Sequence, residues 1–136
     1  MPSSFRARAT LSAVAAVTLA ATAATVARAA SVLDFDVWMR AIDKRSVQVQ
    51  RNIDARRTDA AIADAQELAR LYGLMEAYFV ADGQKADAVD MSRSGKALAA
   101  AIPGALGAQD YEAASRAAVD LAHACNDCHD VHKPFQ

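Results

Sequence analysis

Two cysteines and a histidine near the end of the chain have the spacing of a covalent cofactor site. They stand in the run Cys125-Asn126-Asp127-Cys128-His129, and the sequence has no other cysteine. On a helix, residues three and four apart lie on the same face, so Cys125, Cys128 and His129 would point in one direction. Two thiols at this spacing can form thioethers with the two vinyl groups of one haem, and the adjacent imidazole can reach its iron. The run therefore predicts one covalently attached haem c, with iron as its metal.

The first thirty residues have the pattern of a secretory signal peptide. Met1–Arg8 is short and basic, Leu11–Val26 is apolar and rich in alanine, and Ala27–Ala29 puts small residues at positions −3 and −1. This order predicts export, in a bacterium to the periplasm, with cleavage after Ala29 or Ala30. The alternative is an uncleaved membrane anchor. The apolar run is shorter than the roughly 20 residues that a membrane-spanning helix needs.

A C-x-x-C pair can also serve as a redox-active dithiol or bind zinc, and both alternatives fit this sequence less well than haem attachment. A thioredoxin-like pair normally lies at a helix N-terminus, where the helix dipole lowers a thiol pKa, but this pair comes near the end of a predicted helix. A structural zinc site needs four ligands, which Cys125, Cys128, His129 and His132 could nominally supply. Chance occurrence of the run is the remaining alternative. Export and the lone C-x-x-C-H favour haem.

Residues 31–136 are predicted to form one cytochrome domain, a size that suits a single compact unit. All sixteen acidic residues and twelve of the fifteen basic residues fall in this range, so its net charge is −4. The charges are interspersed and form no basic stripe, which argues against a nucleic-acid partner. No later segment is apolar enough for membrane insertion of the mature chain. Because no catalytic dyad or phosphate-binding glycine loop is recognisable, we do not expect an enzyme.

Hydrophobic periodicity divides the mature chain into four helices, and no stretch alternates long enough to be a strand. The predicted ranges run from 34 or 36 to 56, from 58 or 59 to 82, from 85 to 101, and from 109 or 110 to 129 or 131. Thr58 or Asp59 is expected to cap the second helix, and Pro103-Gly104 to stop the third. Short connections between four amphipathic helices predict an all-α fold, an antiparallel four-helix bundle with the haem attached on the last helix.

Each predicted helix has a stripe of residues expected to face the core. The stripes are Phe35, Met39, Ile42, Ser46, Val49 and Ile53 in the first helix; Ala61, Ala65, Leu68, Tyr72, Met75 and Phe79 in the second; Val89, Met91, Leu98 and Ile102 in the third; and Tyr111, Ala114, Ala118, Leu121, Cys125 and Cys128 in the fourth. Many of these positions are alanine, which adds little apolar area. A buried haem could supply the missing apolar surface.

An exported chain of this length, with four helices and C-x-x-C-H on the last one, resembles the class II cytochromes c. That family comprises cytochrome c′ and the low-spin cytochrome c-556 type. The resemblance implies that Cys125 and Cys128 carry the haem thioethers and that His129 is the proximal iron ligand. Lys133 matches a basic residue that follows the motif in many relatives, and His132 stands where they have an aromatic residue. Relatives often dimerise through their first two helices, so a homodimer is implied as well.

In that family, the first-helix residue that faces the iron decides the function. A methionine there gives a six-coordinate, low-spin iron suited to electron transfer, and an apolar residue leaves a five-coordinate iron that binds gases such as NO or CO. The first helix contains Met39, on the core stripe and near the helix start. In an antiparallel bundle this position can lie beside the end of the fourth helix. Met39 is therefore the candidate distal ligand, and Met75 and Met91 are expected to fill the core.

These predictions describe a periplasmic electron-transfer protein with one covalent haem c and His/Met ligation. A thioether opposite histidine raises the reduction potential, which favours reversible one-electron transfer. The expected partners are other redox proteins. The alternative function is that of a five-coordinate cytochrome c′ that binds small gases.

Overall fold

Four consecutive α-helices make up the structure. The computed structural model describes residues 30–83 and 85–132. Its helices are α1 (Val32–Asp54), α2 (Thr58–Asp82), α3 (Ala86–Gly107) and α4 (Tyr111–His132). Each helix packs against two others in the ring order α1-α2-α3-α4, with the most extensive interface between α2 and α3 and the least extensive between α1 and α4. The predicted all-α four-helix bundle is confirmed.

Two of the predictions concern parts of the chain outside these ranges. The predicted signal peptide, apart from Ala30, lies outside the described residues, and so does Lys133. Among the residues that are described, no helix is both long and apolar enough to cross a membrane.

The start of α1 lies two residues before the earlier of its two predicted starts, because Ser31 caps it. The Ser31 hydroxyl accepts a hydrogen bond from the backbone N–H of Asp34 at 3.2 Å, and the Asp34 carboxylate accepts one from the Ser31 N–H at 2.8 Å. This reciprocal pair is a capping box, which satisfies N–H groups that a helix start otherwise leaves unpaired. The helix ends at Asp54, two residues before the predicted end.

Among the described residues, each connection between helices contains one residue in the left-handed backbone conformation. These residues are Arg56 (φ 57°), Gly83 (φ 69°) and Gln109 (φ 60°). Gly83 ends α2 as the sequence predicted, and its N–H donates to the Phe79 carbonyl at 3.1 Å. Glycine suits this position because it has no Cβ to clash in a left-handed conformation. The connections are short, so consecutive helices run antiparallel.

The predicted cap of α2 is wrong. Thr58 is the first residue within α2, and its hydroxyl shares a hydrogen bond with the Tyr111 hydroxyl at 2.7 Å. Asp59 follows it inside the helix. At the start of α4, Asp110 Oδ1 accepts from the Ala113 N–H at 2.9 Å, the contact expected of an N-cap.

The prediction that Pro103-Gly104 stops α3 is also wrong. The helix continues through both residues and ends at Gly107. Proline removes a backbone hydrogen bond and crowds the preceding turn, but Ile102 and Leu106 are both fully buried on the same face. Burial of large aliphatic side chains is worth about 1.5–3 kcal/mol each, enough to offset much of the cost of proline.

The core is built most completely around α2. All six residues of its predicted stripe are buried, and so is Leu71 beside them. On α1 only Ile42, Val49 and Ile53 are buried, and the other stripe residues are half-buried. The α4 stripe is buried at Ala114, Ala118 and Leu121. Toward its two ends it becomes half-buried, and the two cysteines lie in one of these half-buried parts.

The buried face of α3 is not the predicted one. It lies further around the helix and consists mostly of small residues. Val89, Met91 and Leu98 were expected in the core, but all three are half-buried. The buried residues of this helix are Ala88, Ser92, Gly95, Ala99, Ile102 and Leu106. Small side chains let the α2 and α3 backbones approach closely, and this is the most extensive interface in the bundle.

A polar cluster between α1 and α2 surrounds the buried side chain of Asp64. Its two carboxylate oxygens accept hydrogen bonds from Arg45 at 2.6 Å and from Asn52 at 2.8 Å. The sequence pattern had not marked Asp64, although it lies next to Ala65 on the buried face of α2. The cluster ties the two helices together beside the core.

Replacing this carboxylate should destabilise the bundle. Asp64→Ala leaves Arg45 and Asn52 without their acceptor, and we expect a loss of about 1–3 kcal/mol in the free energy of unfolding, measured by urea titration. Asp36→Ala is the matched control, since Asp36 pairs with Arg40 on the exposed surface of α1. That change should cost no more than about 0.5 kcal/mol. Equal losses in the two variants would contradict the structural role given to Asp64.

Aromatic side chains join the start of α1 to the end of α4. The Phe35 ring packs against those of Tyr78 and Phe79, with ring centroids 4.8 and 5.4 Å apart, and the His132 ring lies 6.4 Å from that of Phe79. His132 also contacts Asp87 of α3 at 2.9 Å. The start of α1 therefore lies close to the end of α4, as the antiparallel arrangement predicted, and Met39 is one turn further along α1.

Candidate functional site

Both cysteines and His129 lie in the last third of α4 and face the same cavity. The two cysteines are free thiols and half-buried, as is His129. The three side chains share the helix face that their spacing predicted. Since Cys125 and Cys128 lie well inside the helix rather than at its N-terminus, the arrangement differs from that of a thioredoxin-like pair. Burial raises the pKa of the Cys128 thiol, which keeps it protonated near neutral pH.

The cavity lies near one end of the bundle, and all four helices contribute to its wall. The wall is mostly apolar and consists of Met39, Ile42 and Asp43 of α1, Tyr72 and Met75 of α2, Met91 and Ser92 of α3, and Ala124, Cys125, Cys128 and His129 of α4. The one serine in this wall is already engaged, because its hydroxyl donates to the Ala88 carbonyl at 2.7 Å. The predicted site residues are thus brought together, Met39 included.

Methionine side chains line this cavity from three different helices. Met75 is buried in the core, as expected, and Met91 is half-buried. Both nevertheless line the same cavity as Met39. All the methionines and cysteines of the described residues therefore converge here, together with His129. That Met75 and Met91 share this cavity with Met39 was not predicted, because hydrophobic periodicity describes each helix separately.

Tyr72 is the functional candidate that the sequence analysis missed. It was assigned to the core stripe of α2, and it is indeed only 5 % exposed. Its hydroxyl lies 3.0 Å from Cys125 Sγ. Burial, and then the neighbouring Cys125, raise the pKa of the Tyr72 phenol well above its ordinary value. The phenol therefore remains protonated at any physiological pH.

Gly95 of α3 makes room for the Tyr72 ring. A Cβ at position 95 would lie 2.3 Å from Tyr72 Cε1 and 2.6 Å from Cζ, far inside van der Waals contact. The glycine thus forms a notch in α3 that receives the ring from α2. A glycine in the middle of an otherwise good helix was the one signal in the sequence that could have pointed to this close approach.

Cys125 also borders a second space, an open groove between α1 and α4. The cavity itself measures about 30 Å³ and the groove about 500 Å³, and Asp43 and Cys125 border both. Cofactor sites commonly span about 300–1,000 Å³. The groove falls in this range and the cavity does not, and of the predicted site residues Cys125 alone lines both. His123 is exposed and lines the groove.

The donor set fits a haem bound through two thioethers and one imidazole. Two thiols and an imidazole face one mostly apolar space, with a methionine thioether on the neighbouring helix. Within residues 30–83 and 85–132, no group of three or more His, Cys, Asp or Glu side chains is arranged to hold a metal ion directly. Comparison of the chain with protein-family models, with curated proteins and with solved structures found no match.

Proposed function

We propose that this protein is a c-type cytochrome that transfers electrons through one covalently attached haem. More particularly, it is a low-spin carrier of the class II type, with His129 and Met39 as the axial ligands. The observation that carries the proposal is the convergence of Cys125, Cys128, His129 and Met39 on one mostly apolar cavity. The C-x-x-C-H run and the position of that run on the last helix of a four-helix bundle add support.

In this proposal each side chain has a separate task. Cys125 and Cys128 would anchor a haem to α4 through thioether bonds, and the His129 imidazole would bind its iron. Met39, which lines the same cavity from α1, would supply the second ligand through its sulfur. The bound haem supplies an iron that alternates between the ferrous and ferric states. The apolar wall, including Ile42 and Met75, keeps water away and so limits the reorganisation that accompanies a change of charge.

The sixth position distinguishes the proposed electron carrier from a gas-binding cytochrome c′. The test is an optical spectrum of the ferric and ferrous protein, produced with haem-attachment machinery, before and after addition of CO. A low-spin spectrum that CO leaves unchanged supports electron transfer. A high-spin spectrum that shifts with CO moves the proposal to gas binding. If denaturation releases all the haem, or if none is present, the c-type assignment is wrong.

The ligand role of Met39 has its own test. Met39→Leu keeps the side-chain volume but removes the sulfur, so we expect the ferric spectrum to change from low-spin to high-spin and the ferrous form to bind CO. Because two other methionines line the cavity, Met75→Leu and Met91→Leu are the matched controls. Both should stay low-spin. An unchanged spectrum in Met39→Leu, or the transition in either control, would exclude Met39 as the ligand.

The proposed setting is the periplasm, with other redox proteins as partners. The pattern in residues 1–30 supports export, and N-terminal sequencing of the exported protein should give Ala30 or Ser31 as the first residue. A homodimer through α1 and α2 is part of the same proposal, by resemblance to class II cytochromes c. Sedimentation of the haem-loaded protein tests it, since a monomer across micromolar concentrations would exclude a stable dimer.

A further inference from the structure

The contact between Tyr72 and Cys125 gives the proposed haem site a tuning residue. We propose that the Tyr72 hydroxyl donates a hydrogen bond to the Cys125 sulfur, that it does so also when this sulfur is a thioether, and that this bond raises the reduction potential. The inference rests on the proposed function. It starts from the 3.0 Å separation between Tyr72 Oη and Cys125 Sγ.

The chemistry of the two groups decides which one donates. A phenol O–H is a good donor, whereas a thiol S–H is a weak donor and sulfur a weak acceptor. A thioether sulfur has no hydrogen and can only accept. Because burial raises the pKa of Tyr72, the phenol keeps its proton. The hydrogen of Tyr72 therefore points to the sulfur both before and after the thioether forms.

Packing fixes the hydroxyl in this position. The Tyr72 ring is held in the notch at Gly95 and is almost fully buried. Ser92, the other hydroxyl in the cavity wall, donates to its own helix through the Ala88 carbonyl. A buried hydroxyl that lost its partner would carry the cost of an unmade hydrogen bond. The bond to Cys125 sulfur is thus the contact that satisfies Tyr72 inside the bundle.

The direction of the effect on the potential follows from electrostatics. The partial positive charge on the phenol hydrogen lies against the sulfur that joins the haem to the chain. The ferric haem has one more positive charge than the ferrous haem, so this dipole disfavours the oxidised form. Hydrogen bonding by groups around a haem is a recognised determinant of its reduction potential. Removing the hydroxyl should therefore make the potential more negative.

The experiment compares two tyrosine-to-phenylalanine variants of the haem-loaded protein. Tyr72→Phe keeps the ring in the Gly95 notch and removes only the hydroxyl. Tyr111→Phe is the matched control, since the Tyr111 hydroxyl also has one side-chain partner, Thr58 at 2.7 Å, but at the opposite end of α4. Spectroelectrochemical titration should show a negative shift of the midpoint potential in Tyr72→Phe and none in Tyr111→Phe.

Thermal unfolding separates tuning from a general loss of stability. We expect both variants to lose a similar, small amount of stability, because each loses one hydrogen bond. An unchanged potential in Tyr72→Phe, or equal shifts in both variants, overturns the inference and leaves the haem proposal intact. If the wild-type chain carries no covalent haem, the proposed function fails and the inference fails with it.

Discussion

A protein in which Cys125 and Cys128 are both replaced by alanine is expected to carry no covalently bound haem. The two thiols are the only cysteines in the sequence, and both face the cavity that His129 and Met39 also line. Without them no thioether can form. Mass spectrometry of the denatured protein measures the result, because the wild type should be heavier than its mature polypeptide by the mass of one haem and the double variant should not.

Single substitutions and a pair of histidine variants make this test specific. Cys125→Ala and Cys128→Ala each leave one thiol, so a fraction of each protein should still carry haem. His129→Ala should remove the proposed iron ligand and change the optical spectrum, whereas His123→Ala, on an exposed residue of the same helix, should not. Haem retained by the double cysteine variant after denaturation would contradict the proposed attachment.

The second large effect is expected at Gly95, where alanine should destabilise the bundle strongly. Its Cβ would lie within 2.3 Å of the Tyr72 ring, so the ring or one of the helices must move. Overpacking of this kind typically costs about 1–3 kcal/mol, and here the obstacle is a rigid ring in the core. Urea unfolding of Gly95→Ala and of the wild type gives the difference in the free energy of unfolding.

Gly104→Ala is the matched control, because it lies in the same helix and a Cβ there meets no atom within 4 Å. In a helix interior alanine is favoured over glycine by roughly 0.5–1 kcal/mol, so this variant should be more stable than the wild type. A double-mutant cycle of Gly95→Ala with Tyr72→Leu should show strong coupling. If Gly95→Ala proved neutral, or the two sites did not couple, the close approach of α2 and α3 at this point would be wrong.

The helices could be predicted from periodicity wherever the buried face is also the most hydrophobic face. On α2 this condition holds, and every predicted core residue is buried. It fails on α3, where Val89 and Leu98 are more hydrophobic than the Ala88 and Gly95 that face the core. The packing of two helix backbones selects small residues at close approach, and a hydrophobicity pattern has no information on that distance.

The site was predictable to the extent that it lies on one helix. The spacing of Cys125, Cys128 and His129 sets their common face through the helical repeat alone, and the structure brings them to one cavity. The contact of Tyr72 with Cys125 and the shared cavity of the three methionines depend on how α1, α2 and α3 are positioned relative to α4. These relations depend on how neighbouring helices are aligned with one another, and the hydrophobic pattern of a single helix does not determine that alignment.

The capping box at the start of α1 has a consequence for how the chain tolerates processing. The hydrogen bonds of Ser31 with Asp34 lie entirely within the segment that begins at Ser31. If the chain is cut after Ala29, the box is untouched. If it is cut after Ala30, the Ser31 nitrogen becomes an ammonium group that still faces the Asp34 carboxylate, now with a full positive charge. The first turn of α1 should therefore survive a cut at either position. A protease that cuts after Ala29 in some molecules and after Ala30 in others would release the same folded bundle.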